Sequence, residues 1–244
     1  MRRGLALLLL LAALPVPALA QSAVETAGAA IARYHEDPAL IDRAREQLEA
    51  ELARERRVET MVLLARVCFL AGEVRARTTD DKLAAYDRGR EIGKRAVELA
   101  PKNAGAHLWY AINTGRWGQT KGVLRSLFLL PTMREELDII FALEPRSASA
   151  HVLAGNVFVE VPALFGGDRT KAEEHYRKGI AIDPRFTAAR VELARLLIAT
   201  ARVADARREL QRVIDERAPT SLADWTVKDL PRARALLASL ADRA

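Results

Sequence analysis

Apolar residues recur at intervals of three and four positions along most of the chain from residue 38 onward, with charged residues between them. This spacing places the apolar side chains on one face of an α-helix, and no stretch shows the alternation of a half-buried strand. The pattern therefore predicts an all-α protein built from four helix pairs. The first helices of the pairs are predicted near residues 57–74, 104–118, 148–161 and 187–200. The second helices are predicted near 80–99, 131–143, 169–182 and 203–216, with single capping helices near 38–53 and 230–242.

A repeated phrase joins one predicted pair to the next. Residues 98–107, 142–151 and 181–190 each contain a helix end, a proline, a short turn and the start of a new apolar helix. Proline disrupts a helix interior because it lacks an N–H group and its ring clashes with the preceding turn. The turns are marked by Pro101, Pro145, Pro184 and a weaker copy at Pro219, which lie 44, 39 and 35 residues apart. This period predicts stacked repeats that bury a continuous core.

The residues before Pro184 indicate which repeat this is. Ala172, Tyr176 and Gly179 precede that proline by twelve, eight and five residues, which places them on one helix face. The arrangement is similar to the second helix of the tetratricopeptide repeat, where small residues let a neighbouring helix approach and the aromatic ring fills the gap. The matching small residue of each first helix is Ala65, Ala111, Gly155 or Ala194. The sequence thus predicts tetratricopeptide-like helix hairpins stacked in a right-handed superhelix.

Two apolar inserts lengthen the repeats beyond the ideal 34 residues. They cover residues 118–131 and 161–168, and each falls between the two predicted helices of one pair. One interpretation is that the inserts fold back onto the stack as short helices. The other is that they rim a ligand cavity or a subunit contact.

The first twenty residues have the order of parts of an export signal. Arg2 and Arg3 precede the apolar run Leu5 to Leu14, and Ala18-Leu19-Ala20 ends it as a small-x-small cleavage site. We therefore expect a signal peptide at residues 1–20 and a mature domain at residues 21–244. No cysteine lies at the cleavage site, so the sequence predicts a soluble periplasmic protein without a lipid anchor.

Charge and candidate chemistry point away from catalysis. The net charge is +6, from 38 basic and 32 acidic residues that are interspersed, which does not predict nucleic-acid binding. No nucleophile elbow, phosphate loop or dinucleotide fingerprint occurs. Cys68 lies in an apolar run, and His107 and His151 occupy equivalent places in successive first helices, where packing is expected rather than zinc binding. The sequence predicts no enzyme, no cofactor and no metal.

A concave surface is the candidate site, because the first helices of tetratricopeptide stacks line it. The inward positions, counted from each proline, are Val62, Arg66, Phe69, Leu108, Ile112, Arg116, Val152, Asn156, Val159, Val191, Arg195 and Ile198. This mostly aliphatic set suits a hydrophobic ligand or an apolar segment of a partner. Arg116 and Arg195 would orient a carboxylate on such a ligand. The alternative is that the same residues fill the space as core.

Three segments carry a closer resemblance. Residues 109–119, 164–176 and 224–237 resemble the TatT family, the tetratricopeptide-like accessory proteins of tripartite ATP-independent periplasmic (TRAP) transporters. The first segment also looks like the related regulators of microtubule dynamics. The TatT resemblance implies a superhelix around a groove or pore, a substrate-binding protein as partner and an apolar ligand. Members of that family often carry a lipid anchor, and this chain departs from them in lacking the acylation cysteine.

Together these features predict a non-enzymatic periplasmic adaptor that is accessory to a TRAP-type substrate-binding protein and binds a hydrophobic ligand in its groove. A general envelope-assembly scaffold with another protein partner is the alternative. Homo-oligomers are compatible with either function.

Overall fold

The computed structural model describes residues 22–240, leaving aside the side chains of residues 123 and 124, and contains no strand in that range. The helices are α1 (Ala23–Ala32), α2 (Ala39–Arg54), α3 (Val58–Leu70), α4 (Thr79–Leu99), α5 (Ala104–Lys121), α6 (Val123–Leu143), α7 (Ala148–Glu160), α8 (Arg169–Ile182), α9 (Thr187–Ala199), α10 (Val203–Asp215), α11 (Leu222–Asp224) and α12 (Leu230–Ser239). π-Helical turns cover Ala71–Arg75 and Trp225–Asp229, and a 3₁₀ turn covers Ala163–Phe165. The predicted all-α, tetratricopeptide-like architecture is confirmed.

Polar side chains set where several helices begin. Ser22 and Thr78 each form a capping box with an acidic residue three positions later. Asn103 accepts the N–H of Ala106, and Asp168 accepts the N–H groups of Thr170 and Lys171. These contacts satisfy donors that the first turn of a helix leaves without partners. Local sequence therefore fixes the starts of α1, α4, α5 and α8.

The small residues that the repeat predicted for the first helices are all buried. Ala65, Ala111 and Ala194 are fully buried, and Gly155 lies against the ring of Tyr176 on α8. Gly72, just after α3, lies against Tyr86 on α4 in the same manner. A small residue therefore faces a tyrosine in two of the pairs. The predicted crossing residue is confirmed for Gly155, whereas in the first pair the tyrosine faces Gly72 and not the predicted Ala65.

The predicted number of helix pairs is wrong, because α1 and α2 pack on each other as a fifth pair ahead of the four. Only α2 was expected, as a single capping helix. α1 is built mainly from alanine, and Ala27 and Ile31 are its buried side chains. Alanine gives little contrast between a buried face and an exposed one, so the periodic signal of this helix is weak.

The prediction of an insert between two helices at residues 118–131 is also wrong. α5 continues to Lys121 and α6 begins at Val123, so Pro131 lies inside a helix rather than before it. An interior proline costs about 3 kcal/mol because one backbone hydrogen bond is lost and its ring crowds the preceding turn. Leu130, Met133 and Leu137 are buried on the inward face of α6. Burial of large apolar side chains contributes about 1.5–3 kcal/mol each and offsets that cost.

The second insert stays outside the core. Residues 161–168 form a turn with the short 3₁₀ segment, and Gly166 has a φ of +94° that favours glycine. Leu164 is 88% exposed. The apolar side chains of this insert therefore do not fold back onto the stack.

The C-terminal segment, defined here as residues 220–232, contacts the first helix of the stack. α11 contacts α1, and the hydroxyl of Tyr34 donates to Asp224 at 2.9 Å across 190 residues of sequence. Ala223 is buried in the same core cluster as α1, α2 and α3. Residues 220–232 thus lie across the concave side, where a simple closing helix at 230–242 was expected.

Candidate binding site

The concave side encloses a cavity of about 940 Å³. Its apolar wall comes mainly from three first helices, with Phe69 on α3, Trp109 and Ile112 on α5, and Val152 and Val157 on α7. The inner face of α6 adds Ser126, Leu129, Leu130 and Met133. The C-terminal segment forms the opposite wall with Asp224, Val227, Lys228, Asp229 and Arg232. The space is therefore a partly covered chamber rather than an open groove.

One charged group of the wall is satisfied by its neighbours. The carboxylate of Glu73 accepts a hydrogen bond from Arg116 Nε at 2.9 Å and another from the Tyr86 hydroxyl. Burial raises the pKa of Glu73, but the charge of Arg116 and these hydrogen bonds outweigh it and lower the pKa overall. Arg116 is therefore already neutralised by an ionised carboxylate.

Asp224 is the second carboxylate of the wall that is paired with cations, and it holds the C-terminal segment in place. Lys228 Nζ lies 2.5 Å from its carboxylate and Arg66 lies 4.0 Å away. Burial opposes ionisation, yet the charge of Lys228 and the hydrogen bonds from Lys228, Ser221 and Tyr34 lower the pKa of Asp224. Because Arg66 is on α3, these contacts link the C-terminal segment to the front of the stack.

Four carboxylates of the wall have no cationic partner within ion-pair distance among the described residues, namely Glu144, Glu160, Asp183 and Asp229. Burial raises the pKa of Glu160, against the charges of Arg116 and Arg195. Burial also raises the pKa of Asp229 to about 6, although the Thr187 hydroxyl donates to it at 2.7 Å. The cavity is thus unfavourable for an anionic ligand.

Asp229→Asn should stabilise the protein at alkaline pH and have little effect below about pH 4. A carboxyl whose folded pKa is raised contributes stability while protonated and loses it as pH rises through the folded pKa. The two-unit difference between 3.8 and about 6 corresponds to a gain of up to about 3 kcal/mol for the amide. Thermal unfolding of the variant and of the unmodified chain, at alkaline pH and again below about pH 4, measures this gain. Asp138→Asn, on the exposed face of α6, is the control. An equal gain at both pH values would contradict the assignment.

The structure brings together half of the predicted site residues. Those that line the cavity are Arg66, Phe69, Ile112, Arg116, Val152 and Asn156. The other six lie outside its lining. Val62, Leu108 and Ile198 pack against core clusters, and Val191 is itself buried in the core. Val159 is 39% exposed, and Arg195 is exposed and pairs with Glu192.

The corrections for Val191, Arg195 and Ile198, which lie on α9, have a geometric cause. Counting from each proline assumes that all first helices face one axis, but α9 has its inward side covered by the C-terminal segment. The Thr187–Asp229 and Glu192–Arg232 contacts make this covering. Arg195 therefore does not orient a ligand carboxylate from within the cavity, and Arg116 is engaged with Glu73. The clustered charges of residues 224–232 are a sequence signal that could have placed this segment at the site.

The histidines do not form a joint site. His107 Nδ1 lies 2.6 Å from Glu136 Oε2, whereas His151 Nδ1 lies 3.0 Å from His175 Nδ1. Burial and the neighbouring His151 lower the pKa of His175 to about 4. Burial raises the pKa of the Cys68 thiol to about 12. Within residues 22–240 no group of three or more His, Cys, Asp or Glu side chains is placed to hold a metal ion.

Paired helices stacked around a chamber define a tetratricopeptide-repeat protein, and residues 166–240 match a family model described as tetratricopeptide repeat. Repeats of this type act in protein–protein interaction, and no enzyme family is indicated. Residues 29–164, more than half of the chain, match the model described as regulator of microtubule dynamics protein 1-3. The chain belongs to that family, which confirms the second of the two resemblances noted in the sequence.

Individual relatives match over shorter stretches. Regulator of microtubule dynamics protein 2 of Macaca fascicularis is 30% identical over 86 residues, which cover 35% of this chain and 21% of that protein. Regulator of microtubule dynamics protein 3 of Bos taurus is 32% identical over 76 residues, which cover 31% of this chain and 16% of that protein. The chain thus matches about a fifth or less of the length of these relatives.

A solved structure extends the likeness to the whole fold. The thermophilic tetratricopeptide protein TTC0263 of Thermus thermophilus aligns with a TM-score of 0.65 at 20% identity. The alignment covers 88% of this chain and 98% of that protein. At this identity the likeness shows the fold alone.

Among the described helices, none combines the length and the apolarity that crossing a bilayer requires.

Proposed function

We propose that this chain is a non-enzymatic periplasmic adaptor that holds an apolar ligand in its cavity and docks a protein partner. The observation that carries the proposal is the chamber itself. Its volume of about 940 Å³ lies within the range typical of small-molecule sites, and such sites are mostly apolar with a few placed polar groups. The walls of α3, α5, α6 and α7 have this character.

The charges of the wall disfavour an anionic ligand. Glu73 with Arg116, Asp224 with Lys228, and Glu192 with Arg232 are already paired. An anionic ligand would have to displace a carboxylate from one of these pairs or lie beside Glu160 and Asp229 without compensation, and an unpaired charge in an enclosed space is costly. An uncharged apolar molecule meets neither obstacle.

The partner is proposed from the class of protein and from the resemblance to TRAP accessory proteins. Tetratricopeptide stacks present extended surfaces to other proteins. The quoted segments at 109–119, 164–176 and 224–237 favour a TRAP-type substrate-binding protein as that partner. The periplasmic location rests on the export signal of residues 1–20, which lies outside the described residues.

An envelope-assembly scaffold is the second candidate, and the C-terminal segment favours it. Because residues 220–232 already lie across the concave side, a partner's peptide cannot enter there without displacing them. A scaffold would then bind partners through its outer surfaces, and the chamber would be incidental.

The proposal is tested by isolating the protein from the periplasm of its own cells. Native mass spectrometry should show an additional neutral mass bound to the chain, and the chain should begin at Gln21. A pull-down should recover a substrate-binding protein. A ligand-free chain that recovers assembly proteins instead would favour the scaffold, and a chain retained in the cytoplasm would contradict both candidates.

A further inference from the structure

A basic cluster surrounds one tryptophan where α5 turns into α6. The guanidinium groups of Arg90 and Arg125 lie 4.4 Å and 5.4 Å from the ring centre of Trp117, and the ammonium group of Lys121 lies 5.8 Å from it. Arg90 pairs with Asp87. Lys121 and Arg125 are exposed and have no acidic partner within ion-pair distance among residues 22–240. The cluster therefore has uncompensated positive charge.

The surrounding sequence strengthens this charge. Residues 99–134 contain no aspartate or glutamate, although the chain has 32 acidic residues in all. Elsewhere basic and acidic side chains alternate and pair on the helix surfaces. An acid-free stretch of this length leaves an electrostatic surface that attracts anions.

An exposed apolar side chain stands next to the cations. Phe128 is 79% exposed and lies three residues after Arg125, on the same face of α6. The next turn of the stack carries exposed Leu164 and Phe165, and Arg134 of α6 holds that turn by donating to the Phe165 carbonyl at 2.9 Å. The opposite face of α6, with Leu129 and Leu130, lines the cavity. Phe128 is therefore not needed for the core.

We propose that the α5–α6 tip, formed by Trp117, Lys121, Arg125 and Phe128, docks on the surface of an anionic phospholipid bilayer. Tryptophan is favoured at membrane–water interfaces, and exposed phenylalanine and leucine can enter the boundary between headgroups and acyl chains. Each basic residue near an anionic surface contributes about 1 kcal/mol of attraction. The tip supplies all three elements on one side, and no helix has to cross the membrane. The inference goes beyond the proposed function, since it concerns the outer surface and not the contents of the chamber.

Vesicle flotation tests the proposal directly. The chain from Gln21, which contains every described helix, should float with vesicles of phosphatidylethanolamine and phosphatidylglycerol and remain behind with phosphatidylcholine alone. The double variant Lys121→Gln/Arg125→Gln should bind the anionic vesicles about thirtyfold more weakly, because two surface attractions are lost. Phe128→Ser should weaken binding by about tenfold or more, because its ring no longer enters the lipid.

Matched controls lie at the other end of the same acid-free stretch. Leu99 is 57% exposed and Lys102 is exposed, so Leu99→Ser removes an exposed apolar side chain and Lys102→Gln removes an exposed cation away from the tip. Both should bind vesicles as the unmodified chain does, and all variants should keep the unmodified circular dichroism. Equal binding to neutral and anionic vesicles, or equal losses for tip and control variants, would overturn the proposal. So would tip variants that lose a protein partner while no chain binds vesicles.

Discussion

Gly155→Leu should destabilise the protein by about 3 kcal/mol, the upper end of what overpacking usually costs. A Cβ atom added at Gly155 would lie 2.4 Å from Cε1 and 2.7 Å from Cδ1 of Tyr176. That ring is almost fully buried, and its hydroxyl donates to Asn156 at 2.7 Å. The ring cannot move aside without breaking this bond and separating α7 from α8. Thermal unfolding should therefore show a midpoint lowered by about 10 °C.

Gly28→Ala is the matched control. It lies inside α1, and an added Cβ meets nothing within 4 Å. Alanine is the better helix former by about 1 kcal/mol, so this variant should be unchanged or slightly more stable. The contact itself can be tested with the smaller substitution Gly155→Ala. The loss of stability that this substitution causes should be smaller in a Tyr176→Leu background, because residues that share a contact do not act additively. An unmodified melting curve for Gly155→Leu would mean that the helix crossing is placed wrongly.

Ile112→Glu should weaken binding of an apolar ligand by well over tenfold while the helix content is kept. The side chain lines the cavity on α5 and is only partly buried, so a glutamate can be accommodated when the cavity is empty. A bound apolar molecule would remove water from the carboxylate without offering a partner, and that desolvation is unfavourable. Titration with an apolar fluorescent dye, and native mass spectrometry of the purified variant, measure the loss.

Val159→Glu is the control for this prediction. Val159 belongs to the same predicted set but lies outside the cavity lining, so its variant should bind as the unmodified chain does. Val152→Glu is less discriminating, because Val152 lines the cavity and also belongs to a core cluster. We expect that variant to lose stability together with binding. Dye binding that is indifferent to Ile112→Glu would remove the chamber as the ligand site.

Much of the fold follows from local sequence. The prolines at 101, 145 and 184, with the small residues ten positions after each of them, determine where the later helix pairs start and how they cross. This works because the contacts within a hairpin join residues close in sequence, and steps of three and four identify the buried face. The alanine-rich α1 shows the limit, since residues with little apolar contrast do not reveal which face is buried.

The site depended on contacts that no local pattern contains. Phe69, Ile112, Arg116 and Val152 were predictable, because the inward positions of first helices repeat with the helix pairs. The covering of α9 by residues 220–232 was not predictable. The hydrogen bond between Tyr34 and Asp224, which holds this segment, joins residues 190 positions apart. Likewise, Pro131 predicts a helix end by itself, and only the burial of Leu130, Met133 and Leu137 keeps α6 continuous through it. Sequence determined the repeat and its register, whereas tertiary packing decided which faces enclose the chamber, because burial energy summed over distant residues exceeds a local preference.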